Sequence, residues 1–509
     1  MDKKLRTDGL AGAVSEGTTE YVLPDYQGDV KKILCAEARL VPAGKYLSGE
    51  NLELSGIVAF DVLYADTEGK LTCASFTSDY EMSLPLGDAP VTDAGATARL
   101  GGYSVRLLGP RKFSAKYAVT ARPEVTSEVV LTTGGNAWEG HTPEVRKAPL
   151  SMHYALMGEG GEREFAEEAV RVSAPADTVE IIRTSGTVAV DESTATAGGV
   201  ILRGRVILNA LVRTPREPPF RVTKEIPFEE MISINGAVAG MQSTGTGNCT
   251  SVTAHVAADG EDASVVTVDA IAEFSAQIHS NMQTEVVTDG YLTDYETVGN
   301  FDTYNYEELC GCVSEPVTLR VQAPKTEGDG EELRDVFFTL VSLKTESSEI
   351  VPEGVRLTGE ATVTAVGNMM DEEQKAGFAT RRFTAPFEET VKFPLHMEGE
   401  PRIECRLIPL DAEVTQDAET MYATITAQAV CVVTGQKQVR RMTDMETGAP
   451  VERNRSVVTV YFPEEGDTLW EIAKRYHRSV ATVATDNALD VSAMAGGDAP
   501  LNVPKLLIL

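Results

Sequence analysis

Six histidines, seven cysteines and 77 carboxylates are the side chains of this 509-residue chain that could carry acid–base, metal or nucleophilic chemistry. The histidines are His141, His153, His255, His279, His396 and His477. None forms a His-Glu-x-x-His or His-x-x-x-His spacing, which would set two imidazoles on one helical face. His477 falls at an expected helix end, where a cationic ring suits the dipole. The cysteines, Cys35, Cys73, Cys249, Cys310, Cys312, Cys405 and Cys431, are scattered and odd in number, which fits reduced thiols. Cys310-Gly311-Cys312 lacks the second ligand pair of a zinc site. Carboxylates as abundant as these fall side by side by chance, as in Glu229-Glu230 and Asp371-Glu372-Glu373. A glycosidase needs an acid and a base facing each other across a cleft, which no local run supplies. There is no Gly-x-x-x-x-Gly-Lys-Ser/Thr loop and no Gly-x-Ser-x-Gly elbow. Gly245-Thr246-Gly247 and Gly158-Glu159-Gly160-Gly161 read as loops, but without a helix-borne lysine to hold phosphate. The expectation is a chain that is not an enzyme and needs no metal or cofactor.

The residues best placed to bind something lie in the last fifty positions. Val458 to Phe462 is apolar and β-branched, a strand, which Pro463 and Gly466 break. Thr468 precedes Glu471 by three, a capping-box spacing. Leu469, Ile472, Ala473 and Tyr476 then fall on one helical face. Ser479 caps a second short helix carrying Val480, Val483 and Ala484, and Leu506 to Leu509 is a closing strand. Trp470 lies about 100° off the first helix's apolar stripe, so it is expected half-exposed and open to a partner.

This βααβ order, with Gly466-Asp467-Thr468-Leu469-Trp470-Glu471-Ile472-Ala473, resembles the LysM module over residues 458–509. The resemblance implies a shallow groove for peptidoglycan or other N-acetylglucosamine oligomers, with Gly466, Asp467, Thr468 and Asn487 as groove positions. Two departures fall on the glycan-facing side. Ala488 stands where the family usually has proline, and Pro500-Leu501-Asn502-Val503-Pro504 replaces its usual Pro-Gly.

Composition narrows the partners. The net charge of −32 argues against nucleic acid, whose affinity rests on Lys and Arg neutralising phosphate, and against an anionic membrane surface. The opening Met1-Asp2-Lys3-Lys4-Leu5-Arg6 leads into no apolar run of secretory type, and no run long enough for a membrane span occurs. A cytoplasmic location is the expectation.

The body reads as mainly β, with one pattern three times. Leu52 to Tyr64, Val200 to Val212 and Val355 to Val366 each carry an apolar residue two before a glycine and alternate apolar positions after it. Those glycines, Gly56, Gly204 and Gly359, are 148 and 155 residues apart. Glycine at a fixed place in a strand implies a bulge or a close backbone approach. A turn and a second strand bearing Tyr80, Phe228 or Phe387 follow each. Further on come long strands, Phe113 to Thr120, Val265 to Gln277 and Tyr422 to Val433, whose period of two means strand. One helix is expected in the body, over Glu162 to Val172, with Phe165, Ala166, Ala169 and Val170 on one face. The expected division is a tail at 1–14, sandwich-like β domains at 15–150, 151–320 and 321–447, a linker at 448–457 and the closing module at 458–509.

Three such β units ahead of a LysM-like module resemble the clostridial spore-coat morphogenetic proteins built from SPOCS domains. Leu23-Pro24-Asp25-Tyr26-Gln27-Gly28-Asp29-Val30 and Gly290-Tyr291-Leu292-Thr293-Asp294-Tyr295 add to the likeness. The resemblance implies a scaffold in the mother-cell cytoplasm, at the forespore surface. It would dock a coat morphogenetic ATPase through the closing module, contact other coat proteins and self-associate. The competing expectation is a glycan-binding protein of cell wall or spore cortex.

Overall fold

The computed structural model describes residues 5–87, 91–128, 131, 143–325, 329–330, 332–370, 376–452, 458–490 and 498–508. His141, Asp371 to Glu373, Leu509 and the expected linker's residues 453–457 lie outside these, as do residues 326–328 of the expected break after Lys325.

Alternation sets the strands and their length sets the architecture. The first unit runs β1 (Leu5–Gly9), β2 (Ala13–Val22), β3 (Val30–Ser48), β4 (Asn51–Asp66), β5 (Leu71–Pro85), β6 (Val91–Gly109) and β7 (Lys112–Glu128). β3, β4 and β5 form one antiparallel meander; β7 pairs with β6 and with β1 and β2 in a second sheet. Val58, Phe60, Val62 and Tyr64 from the first sheet pack against Phe113, Ala115, Tyr117 and Val119 from the second. This is a sandwich, with alternate residues of each sheet turned inward.

The same pairing recurs twice. β8 (Glu144–Glu159), β9 (Arg163–Val172), β10 (Glu180–Thr196), β11 (Gly199–Arg213), β12 (Phe220–Ser233), β13 (Gln242–Ala258) and β14 (Ser264–Tyr291) make a β10-β11-β12 meander. It faces a sheet in which β14 pairs with β13, β8 and β9. Then β15 (Tyr295–Pro324), β16 (Asp329–Gly330), β17 (Asp335–Val351), β18 (Gly354–Met370), β19 (Ala376–Lys392), β20 (Glu400–Gln416) and β21 (Thr420–Pro450) repeat it. The β17-β18-β19 meander, extended by β16, faces β15-β21-β20. Hydrogen bonding runs across the expected divisions at 150 and 320, since β8 and β15 each span one.

The glycines answer to geometry. Gly56, Gly204 and Gly359 stand opposite Tyr80, Phe228 and Phe387 on the next strand. On the preceding strand each meets a register shift, at Pro42/Gly44, Val190/Glu192 and Thr345/Ser347. A Cβ would lie 2.5 Å from the Val41 carbonyl oxygen at Gly56, 2.0 Å from that of Ala189 at Gly204, and 2.1 Å from that of Lys344 at Gly359. The bulge pushes a carbonyl into the space a side chain would take, and the aromatic ring covers the bare backbone.

Two expectations need correction. Glu162 to Val172 is not a helix: Arg163–Val172 is β9, paired with β14. A register shift between Val266 and Thr267 skips Ala169 on β9, so Phe165 and Val172 are both buried although seven apart. An odd spacing of buried residues across a bulge imitates the helical i, i+7 pattern. The cysteines are not all free. Cys405 and Cys431 stand opposite in register on β20 and β21 and form a disulfide, leaving Cys35, Cys73, Cys249, Cys310 and Cys312 as free thiols. Antiparallel pairing brings together two cysteines 26 residues apart, which spacing along the chain does not reveal.

The three units close on one another. Leu34, Leu63 and Leu71 of the first, Leu211 of the second, and Phe337 and Val366 of the third form one apolar cluster. Among the described residues, no helix is long and apolar enough to cross a membrane.

Candidate functional site

The closing segment folds as β22 (Thr459–Tyr461), α1 (Leu469–Arg475), α2 (Val480–Asp486) and β23 (Leu506–Ile508), with β22 and β23 antiparallel. Thr468 caps α1 by accepting from the Glu471 N–H at 3.2 Å, and Ser479 caps α2 by accepting from the Thr482 N–H at 3.0 Å. Leu469, Ile472, Ala473, Val480, Val483, Ala484, Leu506 and Ile508 form its core.

The polar positions singled out in the sequence work for the module's own backbone. Gly466 has φ +97°, a turn glycine ahead of the cap. The Asp467 carboxylate accepts from the Tyr461 hydroxyl at 2.7 Å and the Glu464 N–H at 2.9 Å. These bonds, the Glu464 N–H foremost, hold its carboxyl below the usual range. The Asp467 carbonyl also accepts from the Leu501 N–H at 2.8 Å, and Thr468 forms a β-bridge with Pro500. The Asn487 amide donates to the Val483 and Leu507 carbonyls and accepts from the Leu507 N–H, stapling β23 to the end of α2. Ala488 follows at φ +52°, a left-handed residue that proline could not replace.

Trp470 departs from expectation. It is 4 % exposed, not half-open, and it turns towards the body. Its indole N–H donates to Asp289 at 2.8 Å, its ring meets Tyr291 edge-on, and the Arg146 guanidinium lies 5.0 Å over it. Lys474 pairs with the same Asp289 at 2.6 Å, and the Tyr291 hydroxyl donates to the Arg478 carbonyl at 2.8 Å. Asp289 and Tyr291 end β14, so the module sits on the far end of the ribbon that β14 makes with β8. Burial pushes the Asp289 carboxyl up, but the Lys474 and Trp470 hydrogen bonds outweigh it and the carboxyl stays below its ordinary range. Beside exposed charged residues such as Glu464, Glu465, Glu471 and Arg475, the module leaves three apolar side chains open: Val458, Val460 and Phe462 are 60 %, 45 % and 68 % exposed, at alternate positions on and beside β22.

The fold also assembles groups that spacing does not reveal. His153 and His279, 126 residues apart, meet with Nε2 and Nδ1 at 3.3 Å. Arg183, on β10, reaches Glu37 and Asp61 of the first unit and lies over Phe338 of the third. The pairs form between strands that only the tertiary fold makes neighbours, so no local signal announces them. Among the described residues, no three His, Cys, Asp or Glu groups converge to hold a metal ion.

Residues 177–257, which run from three residues before β10 to one residue short of the end of β13, match the family model described as SipL, SPOCS domain. No curated protein and no solved structure matches the chain.

Proposed function

We propose that the chain is a non-enzymatic scaffold of the spore envelope, built from three SPOCS units and a LysM-like docking module. The SPOCS match over residues 177–257 carries the reading. The strand pairing around it, with the bulge, the glycine and the aromatic opposite, is matched by β3 to β6 and by β17 to β20, which supports three units of one kind. The chain would act in the mother-cell cytoplasm at the forespore surface.

The partner of the closing module would be a coat morphogenetic ATPase rather than a glycan. Sugar-binding grooves use exposed aromatic faces and unspent polar groups; here Trp470 is turned inward, and the Asp467 and Asn487 side chains are engaged by backbone. The outward apolar strip of Val458, Val460 and Phe462 suits a protein surface. Binding of the purified ATPase to the full chain and to a chain ending at residue 452 tests this. The full chain should bind and the shortened one should not. Equal binding by both, or saturable binding of chitin oligomers by the full chain without the ATPase, would overturn the reading.

A further inference from the structure

The three units repeat one another in space as well as in sequence. Leu63, Leu211 and Val366 each follow the repeat glycine by seven residues, and all three meet in the shared apolar cluster. The third strand of each meander packs on the first strand of the next: β5 on β10, β12 on β17 and β19 on β3. Equivalent surfaces thus close a ring, as subunits about a threefold axis would.

The second sheets do not close it equally. Each has a bulge, at Leu100/Gly102, Cys249/Ser251 and Pro409/Asp411, and Asp93, Gln242 and Arg402 stand seven residues before Leu100, Cys249 and Pro409. In the same register Gly9, Met157 and Cys312 are equivalent, opposite Glu124, Gln277 and Val432. Between the first and second units the Asp93 carboxylate accepts from the Met157 N–H at 3.3 Å. Between the second and third, Gln242 Oε1 accepts from the Cys312 N–H at 2.8 Å. Between the third and first the matching pair is Arg402 and Gly9, and a guanidinium cannot accept.

A cleft lies there instead, with Gly9 and Arg122 on one side and Arg402 and Glu404 on the other. The Leu10 N–H bonds to the Pro123 carbonyl of β7 at 2.9 Å, so the preceding N–H, that of Gly9, points away from β7. Among the described residues, nothing accepts from it. A Cβ on Gly9 would lie 2.9 Å from an Arg122 guanidinium nitrogen, so the bare backbone lets that group lie beside the free N–H. The nearby carboxylates are taken. Glu307 is held by Arg402 at 2.6 Å, Glu404 by Arg402 at 2.7 Å and Arg122 at 3.5 Å, and Glu124 accepts from Gln277 at 2.9 Å. Arg406, one row further on β20, is half-buried, and among the described residues no hydrogen bond or ion pair engages it. Burial, and then the Arg99 charge, push its pKa down to about 10 against the smaller pull of Glu124.

We propose that this cleft is a carboxylate-binding site. An aspartate or glutamate side chain, or a small free dicarboxylate, accepts there from the Gly9 N–H and pairs with Arg402 and Arg122. It supplies the acceptor that Asp93 and Gln242 supply in the other two seams, and its charge offsets the unpaired Arg406.

The test uses the full chain labelled with ¹⁵N-glycine, titrated in turn with glutarate, a capped peptide of glutamates and inorganic phosphate. The Gly9 amide proton should shift downfield and saturate with a carboxylate. Tighter saturation by glutarate assigns the site to a small ligand, and tighter saturation by the peptide assigns it to a protein segment. Arg402→Gln places in the third seam the side chain that serves the second. It should bond the Gly9 N–H from within and weaken carboxylate binding about tenfold or more, the least expected for losing a hydrogen bond to a charged group. A Gly9 amide unmoved by either carboxylate would overturn the proposal. So would saturation by phosphate at lower concentration than by both carboxylates, or undiminished binding by Arg402→Gln. Should the variant not fold, the Gly9 shift in the unaltered chain decides.

Discussion

A methyl group on Gly359 would collide with the Lys344 carbonyl oxygen at 2.1 Å, and that oxygen belongs to a bulged backbone that cannot swing away as a side chain could. Gly359→Ala should therefore lower stability by about 1–3 kcal/mol, the usual cost of overpacking. Gly102→Ala, where a Cβ meets nothing within 4 Å, should stay within about 0.5 kcal/mol of the unaltered chain. Urea midpoints separate the two, and equal midpoints would show that no close approach constrains position 359. This much was legible in the sequence, because a bulge leaves a glycine at a fixed step from an apolar residue. The roles of Asp467 and Asn487 were less so. A polar residue near a turn reads alike whether its oxygen faces a ligand or its own backbone, and here the Glu464 N–H and the Leu507 strand take it.

Elements were legible where the alternation is unbroken and illegible where it slips. The long strands β7, β14 and β21 show period two without interruption over most of the stretches expected to be strand. β9 does not, and its bulge at Ala169 turned a strand into an apparent helix. Helix α1 was legible to its cap, yet Trp470 was misread, because a residue off the core stripe is exposed only if nothing packs on that side. The end of β14 does. Asp289 holds both the Trp470 indole and the Lys474 ammonium, and a hydrogen bond to a charged group contributes about 1.5–3 kcal/mol. Asp289→Ala should thus release the module from the ribbon while the sandwiches keep their cores. In a Trp138→Phe background Trp470 is the lone indole, and its emission should shift to the red as the ring meets water. Unchanged emission would mean that Trp470 is held without Asp289.

How the units assemble had almost no trace in the sequence, since their contacts join residues hundreds of positions apart. One hint was local: Val62-Leu63-Tyr64-Ala65 is apolar without alternation, as a strand buried on both faces must be. Val62 and Tyr64 face the sandwich core; Leu63 and Ala65 face the cluster that the three units share. Arg183 stands at the edge of that cluster with its side chain 7 % exposed, between Glu37 and Asp61 and over the Phe338 ring. Burial disfavours its charge, but the two carboxylates more than offset this and raise its pKa. Arg183→Leu would leave both carboxylates facing an apolar seam. Breaking a buried pair from one side costs about 3–5 kcal/mol, and the 30 % exposure of Glu37 places this case at the low end. Replacing Arg183, Glu37 and Asp61 together by leucine removes the stranded charges and should recover most of the loss, because the desolvation cost goes with the pair. Denaturant unfolding of both variants tests the seam as a whole: the single variant should separate the units in an early transition, and the triple variant should restore one cooperative step. A single variant that unfolds like the unaltered chain would mean that Arg183 does not hold the units together.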